Sequence, residues 1–482
     1  MAINLKLTNP KVEFLPRKEL ERLQLKKLRY MVNLAYQTSP YYHRVFKKHG
    51  LKPSDIQSLK DLTKIPITKR EDLMDSPKDF ILQPKKEQLT KILPKKKLIS
   101  LLLTKMVNEE KAEVEVLREF YPVRVTFTSG RSGNPVPVFY THYDLDLFSD
   151  IAGRGAIISG SKTGMIGLNL FPRVVDHLAG FQAVFAFQSI FAIPVSISMM
   201  TERSIRAAEA LEVQGIAGIP SYIMYWFRRA AEMGVKLPKI QVLFVAGERV
   251  SKGWREKLMK YAEELGVEDL KIREGYGLTE AKHAMLECEL DSGFHTFPDI
   301  AIWEVVDEET FEPVGEGERG AILFTHIDYR GTIFLRYLTG DIAEGGITYE
   351  KCPHCGRTVP RIHRPIGRMM DYLRELHITK VKGTTVNLNA ITDVIEENGN
   401  VKDYQIVITK EDPSDPYSRD VLIARIECHS PNEYEKTARE IVEAVRSVSE
   451  VTPIVEHVEG LSEMLVSDIK AHRVVDKRPA EA

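Results

Sequence analysis

Apolar runs alternate with amphipathic segments over residues 165–272. The runs are short and rich in aliphatic residues, which is typical of buried strands, and the segments between them carry apolar residues at helical spacing. This order predicts a mainly parallel sheet with helices on both faces. The pattern places strands at 166–171, 216–219, 242–246 and 270–272, and helices at 202–213, 222–233 and 253–265.

Two further regions have a different pattern. Residues 301–347 contain β-rich, hairpin-like runs, predicted at 302–306, 321–325 and 332–337. A compact α+β unit follows, long enough to fold alone. Its strands are predicted at 384–388, 404–409, 420–427 and 452–457, and its helices at 389–397 and 431–448. We therefore predict an α/β protein. Its large N-terminal domain has mixed and parallel sheets flanked by helices and a β-rich subdomain, and its small C-terminal domain is α+β.

Two segments stand apart from these patterns. Residues 84–118 are rich in lysine and carry an apolar patch at 98–103, which indicates an inserted helical pair or a mobile excursion. Residues 178–200 carry no charge and are long enough to span a bilayer. Polar residues and a proline interrupt them, so we predict a buried helix followed by a buried strand instead. The interrupting residues are Gln182, Gln188, Ser189, Pro194, Ser196 and Ser198.

Composition narrows the classes of partner. The chain has 482 residues, which predicts more than one domain. Its 67 basic and 68 acidic residues give a net charge of −1, so electrostatics does not favour a nucleic-acid or membrane partner. The N-terminus has no basic segment followed by an apolar stretch, and we expect a cytoplasmic protein. The oligomeric state stays open, and a homodimer is compatible with the sequence.

The most informative motif is Thr-Phe-Thr-Ser-Gly-Arg-Ser-Gly-Asn-Pro at 126–135. Apolar and β-branched residues flank it, so it connects two strands. Glycines let backbone amides turn toward an anion, and hydroxyl groups add donors. The motif predicts a phosphate-binding loop, with an ordinary hairpin turn as the alternative. The residues concerned are Thr128, Ser129, Gly130, Arg131, Ser132 and Gly133.

A second candidate site follows the strand at 270–272. Gly275 and Gly277 permit a tight turn, and Tyr276 between them can stack on a flat ring. Thr279 and Glu280 can reach a phosphate and its metal. The alternative is a plain strand–turn–helix in which Thr279 is the N-cap.

Charged residues later in the chain add to this candidate chemistry. Asp341, at a predicted strand end in Tyr-Leu-Thr-Gly-Asp, can accept hydrogen bonds from ribose hydroxyls or stabilise its own turn. A basic connector, Arg-Pro-Ile-Gly-Arg, follows at 364–368. Lys470 stands on a polar segment, where a lysine is ordinarily a solvated charge.

The four cysteines are too few for a disulfide scaffold. Cys352 and Cys355, separated by two residues and followed by a glycine, have the spacing of a metal knuckle. With Cys288 and His295 they predict a tetrahedral zinc site. A redox dithiol or two buried thiols are the alternatives. Three residues remain: the competing ligands His283 and His354, and Cys428, which we predict to be a core residue.

These motifs, in this order, resemble the adenylate-forming superfamily and, within it, the phenylacetate–CoA ligases. The resemblance covers nearly the whole chain and implies a large N-terminal domain at 1–367 and a small mobile lid at 368–482, with a hinge near 368–371. The matching stretches are 23–24, 39–42, 58–73, 126–135, 218–222, 246–248, 276–280, 337–341, 355–358, 367–368 and 470–478.

The resemblance implies a role for each motif. The loop at 128–133 would wrap the ATP phosphates, and Glu280 would hold Mg²⁺. Asp341 would bind the ribose hydroxyls with help from Arg368, and Lys470 would bridge the carboxylate and the α-phosphate. The surroundings of adenine and the AMP phosphate would be Glu248, Gly275, Tyr276, Gly277 and Thr279. The acid pocket would be lined by His177, Phe181, Pro220 and Tyr222, with Gly275 and Tyr276. A structural role for zinc fits the cysteine-rich patch that this family commonly carries.

The implied activity is that of an ATP-dependent carboxylate–CoA ligase for an aryl or arylacetic acid, with ATP, Mg²⁺ and CoA as cofactors. An adenylyltransferase that passes AMP to another acceptor is the alternative, and a non-enzymatic AMP-binding regulator is a third reading. Two departures from the family pattern leave the acid and the thiol acceptor open. Asn134 stands where the family usually has a lysine, with Arg131 earlier in the loop, and the hinge Met369-Met370-Asp371 keeps only the second of two acidic residues.

Overall fold

The computed structural model of the chain describes residues 10–128, 135–171, 178–197, 200–369, 374–379, 382–412, 418–449, 451–467 and 473–478. Several residues singled out from the sequence lie outside these ranges: Ser129, Gly130, Arg131, Ser132, Gly133, Asn134, His177, Ser198, Met370, Asp371 and Lys470.

Helices form the first part of the chain. Helix α1 buries Leu28, Met31 and Ala35 completely, and Ser39 caps the next helix by accepting a hydrogen bond from the Tyr42 amide. The lysine-rich segment contains a helical pair, which is the first of the two alternatives predicted for it. The helices are α1 (Arg17–Thr38), α2 (Pro40–Lys48), α3 (Arg70–Asp75), α4 (Leu89–Ile92), α5 (Lys95–Val107) and α6 (Glu109–Phe120).

A short antiparallel pair, β1 (Pro122–Phe127) and β2 (Pro137–Thr141), leads into α7 (His142–Ile158) and the large mixed sheet. The first strands of this sheet are parallel, as the alternating pattern predicts, and they have the order β4-β3-β5-β6-β7. They are β3 (Ile166–Asn169), β4 (Ile193–Ser196), β5 (Gly215–Gly218), β6 (Val242–Ala246) and β7 (Lys271–Leu278). The connecting helices are α8 (Leu178–Ser189), α9 (Thr201–Ala210), α10 (Pro220–Glu232) and α11 (Lys252–Glu264).

The sheet then continues with antiparallel strands beyond β7, where our predictions need correction. Strand β7 runs through the predicted tight turn, because Gly275 and Gly277 pair with the next strand. A Cβ at Gly277 would lie 2.6 Å from the Cα of Ala284, so close strand packing, rather than a turn, requires glycine. A hairpin also replaces the strand–turn–helix alternative. These strands are β8 (His283–Leu286), β9 (Phe294–His295) and, beside β9, β14 (Arg361–Ile362) and β13 (Ile347–Thr348).

The uncharged segment 178–200 contains a helix and then a strand, as predicted. The strand is not buried, however, because β4 lies at the edge of the large sheet and Ile193 is 56% exposed. Among the described helices, none combines the length and the apolar character needed to cross a bilayer.

A smaller antiparallel sheet consists of β10 (Ala301–Val306), β11 (Gly320–His326), β12 (Tyr337–Ala343) and β15 (Ile366–Arg368). The strand predicted at 332–337 begins only at Tyr337. The reason is that the two amides just before Tyr337 bind side chains instead of a neighbouring strand: Leu335 donates to the Tyr42 hydroxyl and Arg336 to the Thr325 hydroxyl. Asp341 lies inside β12 instead of at its end, one residue after Gly340 at φ +74°.

The C-terminal part has its own apolar core and the α+β order predicted for it. A hairpin of β16 (Arg374–Thr379) and β17 (Lys382–Val386) precedes a sheet with the order β20-β19-β18-β21. Its remaining elements are α12 (Leu388–Glu397), β18 (Val401–Lys410), β19 (Asp420–Cys428), α13 (Tyr434–Val448), β20 (Ile454–His457), α14 (Leu461–Ser467) and β21 (Val474–Asp476). The α/β fold class is confirmed, and the boundary at 367/368 stays a prediction.

Candidate nucleotide site and cysteine cluster

The turn between β7 and β8 is anchored by a buried ion pair. Lys282 ends the turn and donates to Asp144 at 2.9 Å, and neither side chain has any exposure. The same carboxylate accepts hydrogen bonds from the backbone amides of Arg330 and Gly331. Burial lowers the pKa of Lys282, whereas the attraction of Asp144 raises it. Because a buried charge is costly unless paired, this contact holds the turn in one position.

Glu280 points from this turn toward two other elements. Its carboxylate accepts a hydrogen bond from the Tyr337 hydroxyl at 3.1 Å and lies 3.6 Å from the Arg70 guanidinium. Burial raises the pKa of Glu280, and Tyr337, Arg70 and Arg368 oppose the shift. Its oxygens are of the type that hard divalent cations prefer as ligands, so Glu280 is a candidate metal ligand.

Thr128, the first residue of the predicted phosphate-binding loop, contacts Arg70, which also lies beside Glu280. The Thr128 hydroxyl accepts a hydrogen bond from Arg70 at 3.3 Å and another from the Val136 amide at 3.0 Å. The Thr128 amide in turn donates to the Val136 carbonyl, so the two residues close the base of the loop. The Nε of Arg70 is buried and has no hydrogen-bond partner among the described residues. Arg70 therefore links the loop base to Glu280 with a donor to spare.

A second carboxylate lies at the junction of β7, β12 and β15. Asp341 accepts a hydrogen bond from the Tyr276 hydroxyl at 2.9 Å and pairs with Arg368 at 3.0 Å. Burial and the charge of Asp341 raise the pKa of Tyr276 well above its ordinary value, so Tyr276 remains a donor to Asp341. The two predicted ribose-binding residues are thus in direct contact.

Glu248 connects the β6–α11 loop to the start of α10. Both oxygens of its carboxylate are used by Ser221, one by the amide and one by the hydroxyl, each at 2.9 Å. Pro220 is the first residue of α10, and the Tyr222 hydroxyl is hydrogen-bonded to Thr201 at 3.0 Å. Glu248 therefore orders the loop and the helix that were predicted to surround the adenine and the acid.

The C-terminal segment approaches the large domain on both sides of residues 468–472. Before them, Ser462 accepts a hydrogen bond from Arg228 on α10 at 3.0 Å. After them, Arg473 is half-buried, and its guanidinium pairs with Asp403. Burial lowers the pKa of Arg473, but nearby acidic groups, Glu248 included, raise it above its ordinary value. The charge of Glu248 therefore acts on the segment that carries the predicted lysine.

Phe181 lies in an aromatic cluster on α8. Its ring stacks on Phe148 with centroids 4.6 Å apart, and the Arg124 guanidinium lies 3.6 Å from its centroid. The next residue, Gln182, makes two hydrogen bonds to the backbone of Ala284, the residue that pairs with Gly277. Through Gln182, helix α8 and its Phe181 are therefore linked to the paired strands β7 and β8. Tyr222, by contrast, packs in a separate apolar cluster.

The predicted metal ligands come together. The sulfurs of Cys288 and Cys352 are 3.7 Å apart, and the Cys355 sulfur is 3.2 Å from Nε2 of His295. All four ligand atoms lie within 4.8 Å of one another. Tetrahedral zinc with bonds of about 2.3 Å to sulfur places two sulfurs about 3.8 Å apart, so the set fits zinc. His295 is oriented by the Leu286 carbonyl at its other nitrogen, while His283 and His354 lie outside the set.

Three residues of this region were not predicted from the sequence: Arg70, Asp144 and Lys282. The sequence does contain a signal for Asp144, because Thr141 and Asp144 form a capping box at the start of α7. Lys282 is two residues from Glu280, but its pairing depends on a contact with a residue far away in the chain. Arg70 reaches the site because Thr68 forms a bridge to Tyr337, which only the tertiary structure shows.

Comparisons with known proteins identify the family of this chain. The sequence model of the AMP-binding enzyme family matches residues 56–329. Phenylacetate-coenzyme A ligase of Thermus thermophilus is 30% identical over 415 residues, which are 83% of this chain and 81% of the relative. The phenylacetate-coenzyme A ligase of Aromatoleum evansii is 25% identical over 96% of both chains.

Among solved structures, 2-hydroxyisobutyryl-CoA ligase in the postadenylation state, in complex with R3-HIB-AMP, matches with a TM-score of 0.75. The two proteins are 21% identical, and the match covers 97% of this chain and 92% of the other. This likeness shows the fold. Together with the family match, it establishes that the chain belongs to the AMP-binding, adenylate-forming enzyme family and lies close to the phenylacetate–CoA ligases.

Proposed function

We propose that this protein is an AMP-forming acid–CoA ligase that activates an aryl or arylacetic acid. The observation that carries the proposal is the grouping of Thr128, Arg70 and Glu280 next to the contact of Asp341 with Tyr276 and Arg368. Thr128, Arg70 and Glu280 suit the phosphates of ATP and their metal. Asp341, with Tyr276 and Arg368, suits a ribose. The names of the curated relatives support the acid and the thiol.

The first step is the attack of a carboxylate oxygen of the acid on the α-phosphorus of ATP. A bond forms between that oxygen and the phosphorus, the bond to the bridging oxygen breaks, and pyrophosphate leaves. Negative charge grows on the phosphoryl oxygens, so the step needs preorganised donors and cations. We assign this role to the loop at 128–133, Arg70 and Lys470, with Asp341 and Arg368 holding the ribose.

The residues around Glu280 fit a magnesium ion. Mg²⁺ prefers oxygen ligands such as carboxylates and phosphates, and the Glu280 carboxylate and the Thr128 hydroxyl both contact Arg70. When bound, the ion neutralises phosphate charge. Glu280 would hold it, while Tyr337 fixes the orientation of that carboxylate.

In the second step the sulfur of CoA attacks the carbonyl carbon of the acyl-adenylate. The carbon–oxygen bond to AMP breaks, the thiol proton passes to solvent, and the thioester and AMP leave. Lys470 is needed only in the first step, so a lid that withdraws it makes room for the thiol. The contacts between lid and large domain include polar pairs, such as Arg249 with Asp393 at 2.6 Å, which would have to break when the lid moves.

Phe181, which we assign to the acid pocket, is buried in one aromatic cluster with Phe148 and Tyr140. Aromatic side chains pack favourably against an aromatic ligand in offset or edge-to-face geometry. Ring-bearing acids should therefore be activated in preference to short aliphatic acids.

A substrate panel tests the proposed function. The protein is incubated with ATP, Mg²⁺ and a set of carboxylic acids, with and without CoA, and pyrophosphate, AMP and thioester are measured. Thioester formation in equal amounts with AMP is expected for aryl or arylacetic acids only. Pyrophosphate release that ignores every acid and CoA would contradict the ligase and favour transfer of AMP to another acceptor.

Arg70→Ala is expected to raise KM for ATP by about 10- to 100-fold, because a hydrogen bond to a charged group contributes about 1.5–3 kcal/mol. KM for the acid should change much less. Arg70→Lys keeps the charge and should recover part of the loss. Arg44→Ala, which removes an exposed pair with Asp79 on neighbouring helices, is the matched control. An unchanged KM for ATP in Arg70→Ala would show that Arg70 does not contact the phosphates.

We further propose that the cysteine cluster binds a structural zinc ion that joins β8 and β9 to the knuckle before β14. Cys352→Ser should lose bound zinc, measured by elemental analysis, and should lower Tm, because binding of such an ion contributes to folding. Cys428→Ser is the matched control, since Cys428 is buried in the lid core outside the cluster. Wild-type protein that lacks about one zinc per chain would contradict the assignment.

A further inference from the structure

The first turn of helix α11, in the large domain, lies against the end of helix α12, in the lid. Gly253 is the second residue of α11 and is buried. A Cβ on Gly253 would lie 2.7 Å from the carbonyl oxygen of Glu396 and 2.9 Å from its carbonyl carbon. The next nearest atom is the amide nitrogen of Glu397, at 3.1 Å, so all three atoms belong to the lid backbone. Glycine is what allows the two backbones to come this close.

For the large domain alone, this glycine is unfavourable, because glycine stabilises a helix less than alanine does. Its neighbour Ser251 has a role in each domain. The Ser251 hydroxyl accepts a hydrogen bond from the Trp254 amide at 3.0 Å, which caps α11, and it donates to the Glu396 carboxylate of the lid. The start of α11 therefore has a sequence that suits contact with the lid better than it suits the helix itself.

Two basic side chains hold the lid on either side of this contact. Arg249 donates to both oxygens of Asp393, at 2.6 and 2.7 Å, and to the Asn389 carbonyl at 3.2 Å. Lys257 donates to the Val401 carbonyl at 2.6 Å. A bidentate pair fixes the orientation of its partner as well as its distance. We call the residues of the large domain that make these contacts the lid seat: Arg249, Ser251, Gly253 and Lys257.

The lid position that the seat holds also brings the C-terminal segment to the large domain. The Ser462 hydroxyl accepts a hydrogen bond from Arg228 at 3.0 Å, and the charge of Glu248 acts on Arg473. These contacts flank residues 468–472, which include the lysine assigned to the first step. Arg249 directly follows Glu248 in the chain, so one loop contributes to the seat and to the predicted surroundings of adenine. The seated lid therefore suits adenylate formation.

We propose that Arg249 and Gly253 are positioning residues that hold the lid in place for adenylate formation and lose their lid contacts before thioester formation. The proposal rests on the proposed function, and it adds a site at which the balance between the two steps is set. Both residues act through the lid rather than on the substrates. Since the second step needs the lid to withdraw, a weaker seat should slow the first step alone.

Gly253→Ala tests the backbone contact. It should slow pyrophosphate release with ATP and acid by about 5- to 100-fold, because overpacking a tight contact shifts the lid away from its seat by this factor. Thioester formation from synthetic acyl-adenylate and CoA should stay at the wild-type rate or rise. Tm should not fall, since alanine favours the helix. Loss of both steps together with a lower Tm would show a merely structural role and overturn the proposal.

Gly399→Ala is the matched control for Gly253→Ala. Gly399 follows α12 in the lid, and a Cβ added there would meet no atom within 4 Å. Both variants add the same methyl group to a glycine near the junction of lid and large domain, but only one of the added groups meets the other domain. Both steps should therefore keep their wild-type rates in Gly399→Ala. Equal slowing of adenylate formation in the two variants would contradict the seat.

A charge exchange tests the pair between Arg249 and Asp393. Arg249→Asp and Asp393→Arg each place two like charges together and should each slow adenylate formation by about fivefold or more. The double variant restores an opposite pair and should recover to within about twofold of the wild-type rate. The thioester step should stay unchanged in all three variants. Additive losses in the double variant would show that the pair does not hold the lid during adenylate formation.

Small-angle X-ray scattering tests the seat without any turnover. In the absence of substrates, Gly253→Ala should have a larger radius of gyration than the wild type, because the lid leaves the large domain, whereas Gly399→Ala should match the wild type. An unchanged radius in Gly253→Ala would overturn the proposal. If no acid supports pyrophosphate release by the wild type, the proposed function fails, while the scattering result still decides whether the seat holds the lid.

Discussion

Lys470→Ala is expected to lower the rate of acyl-adenylate formation by about 10²–10³-fold, because removing one preorganised group from a developing phosphoryl charge has an effect of this size. Formation of thioester from a supplied acyl-adenylate and CoA should remain close to the wild-type rate. The first rate is measured as pyrophosphate release with ATP and acid, and the second as thioester formation from synthetic acyl-adenylate. Slow adenylate formation together with a normal rate of thioester formation arises only if the lysine acts in one of the two steps.

Lys477→Ala provides the matched control for this experiment. Lys477 belongs to the same C-terminal segment, is exposed, and is held through its backbone amide by the Ile408 carbonyl. Its replacement should leave both steps unchanged. Equal loss of both steps in Lys470→Ala would indicate damage to the lid as a whole, and would refute the assigned role.

Helices and strands in which apolar residues recur at a short, regular spacing were predictable from the sequence. The alternation of strands and helices from β3 to β7, and the elements of the C-terminal domain, follow from spacing that repeats every two or about 3.6 residues. The cysteine cluster was predictable for a related reason. The ligands of a small, closed site come from two compact segments, around Cys288 and Cys352, and these segments hold three of the chain's four cysteines.

What could not be predicted depends on contacts between distant residues. The glycines of β7 suggest a turn when taken alone, and only the pairing of Gly277 with Ala284 shows that they allow close strand approach. The segment before Tyr337 has the composition of a strand, but its last two amides donate to the hydroxyls of Tyr42 and Thr325. Arg70 has no local motif at all, and its position follows from the bridge between Thr68 and Tyr337.

Glu280→Gln should lower kcat/KM for ATP by about 10²–10³-fold while leaving Tm close to that of the wild type, because glutamine keeps the shape and can still accept from Tyr337 but carries no charge for Mg²⁺. Tyr337→Phe is the matched control, since it removes the hydrogen bond and keeps the carboxylate. In Tyr337→Phe, kcat/KM for ATP should fall by about tenfold at most. Steady-state kinetics over a range of Mg²⁺ concentrations distinguishes the variants, because only Glu280→Gln should require much more metal.

The pH profile gives an independent measure of the same group. Burial raises the pKa of Glu280 above its ordinary value of 4.5, so its charge is lost as the pH falls through the raised value. The wild type should therefore show an acid limb in kcat/KM for ATP at a pH above 4.5, and this limb should be absent from Glu280→Gln. If the limb persists unchanged in Glu280→Gln, another group titrates there, and Glu280 is not the carboxylate that binds the metal.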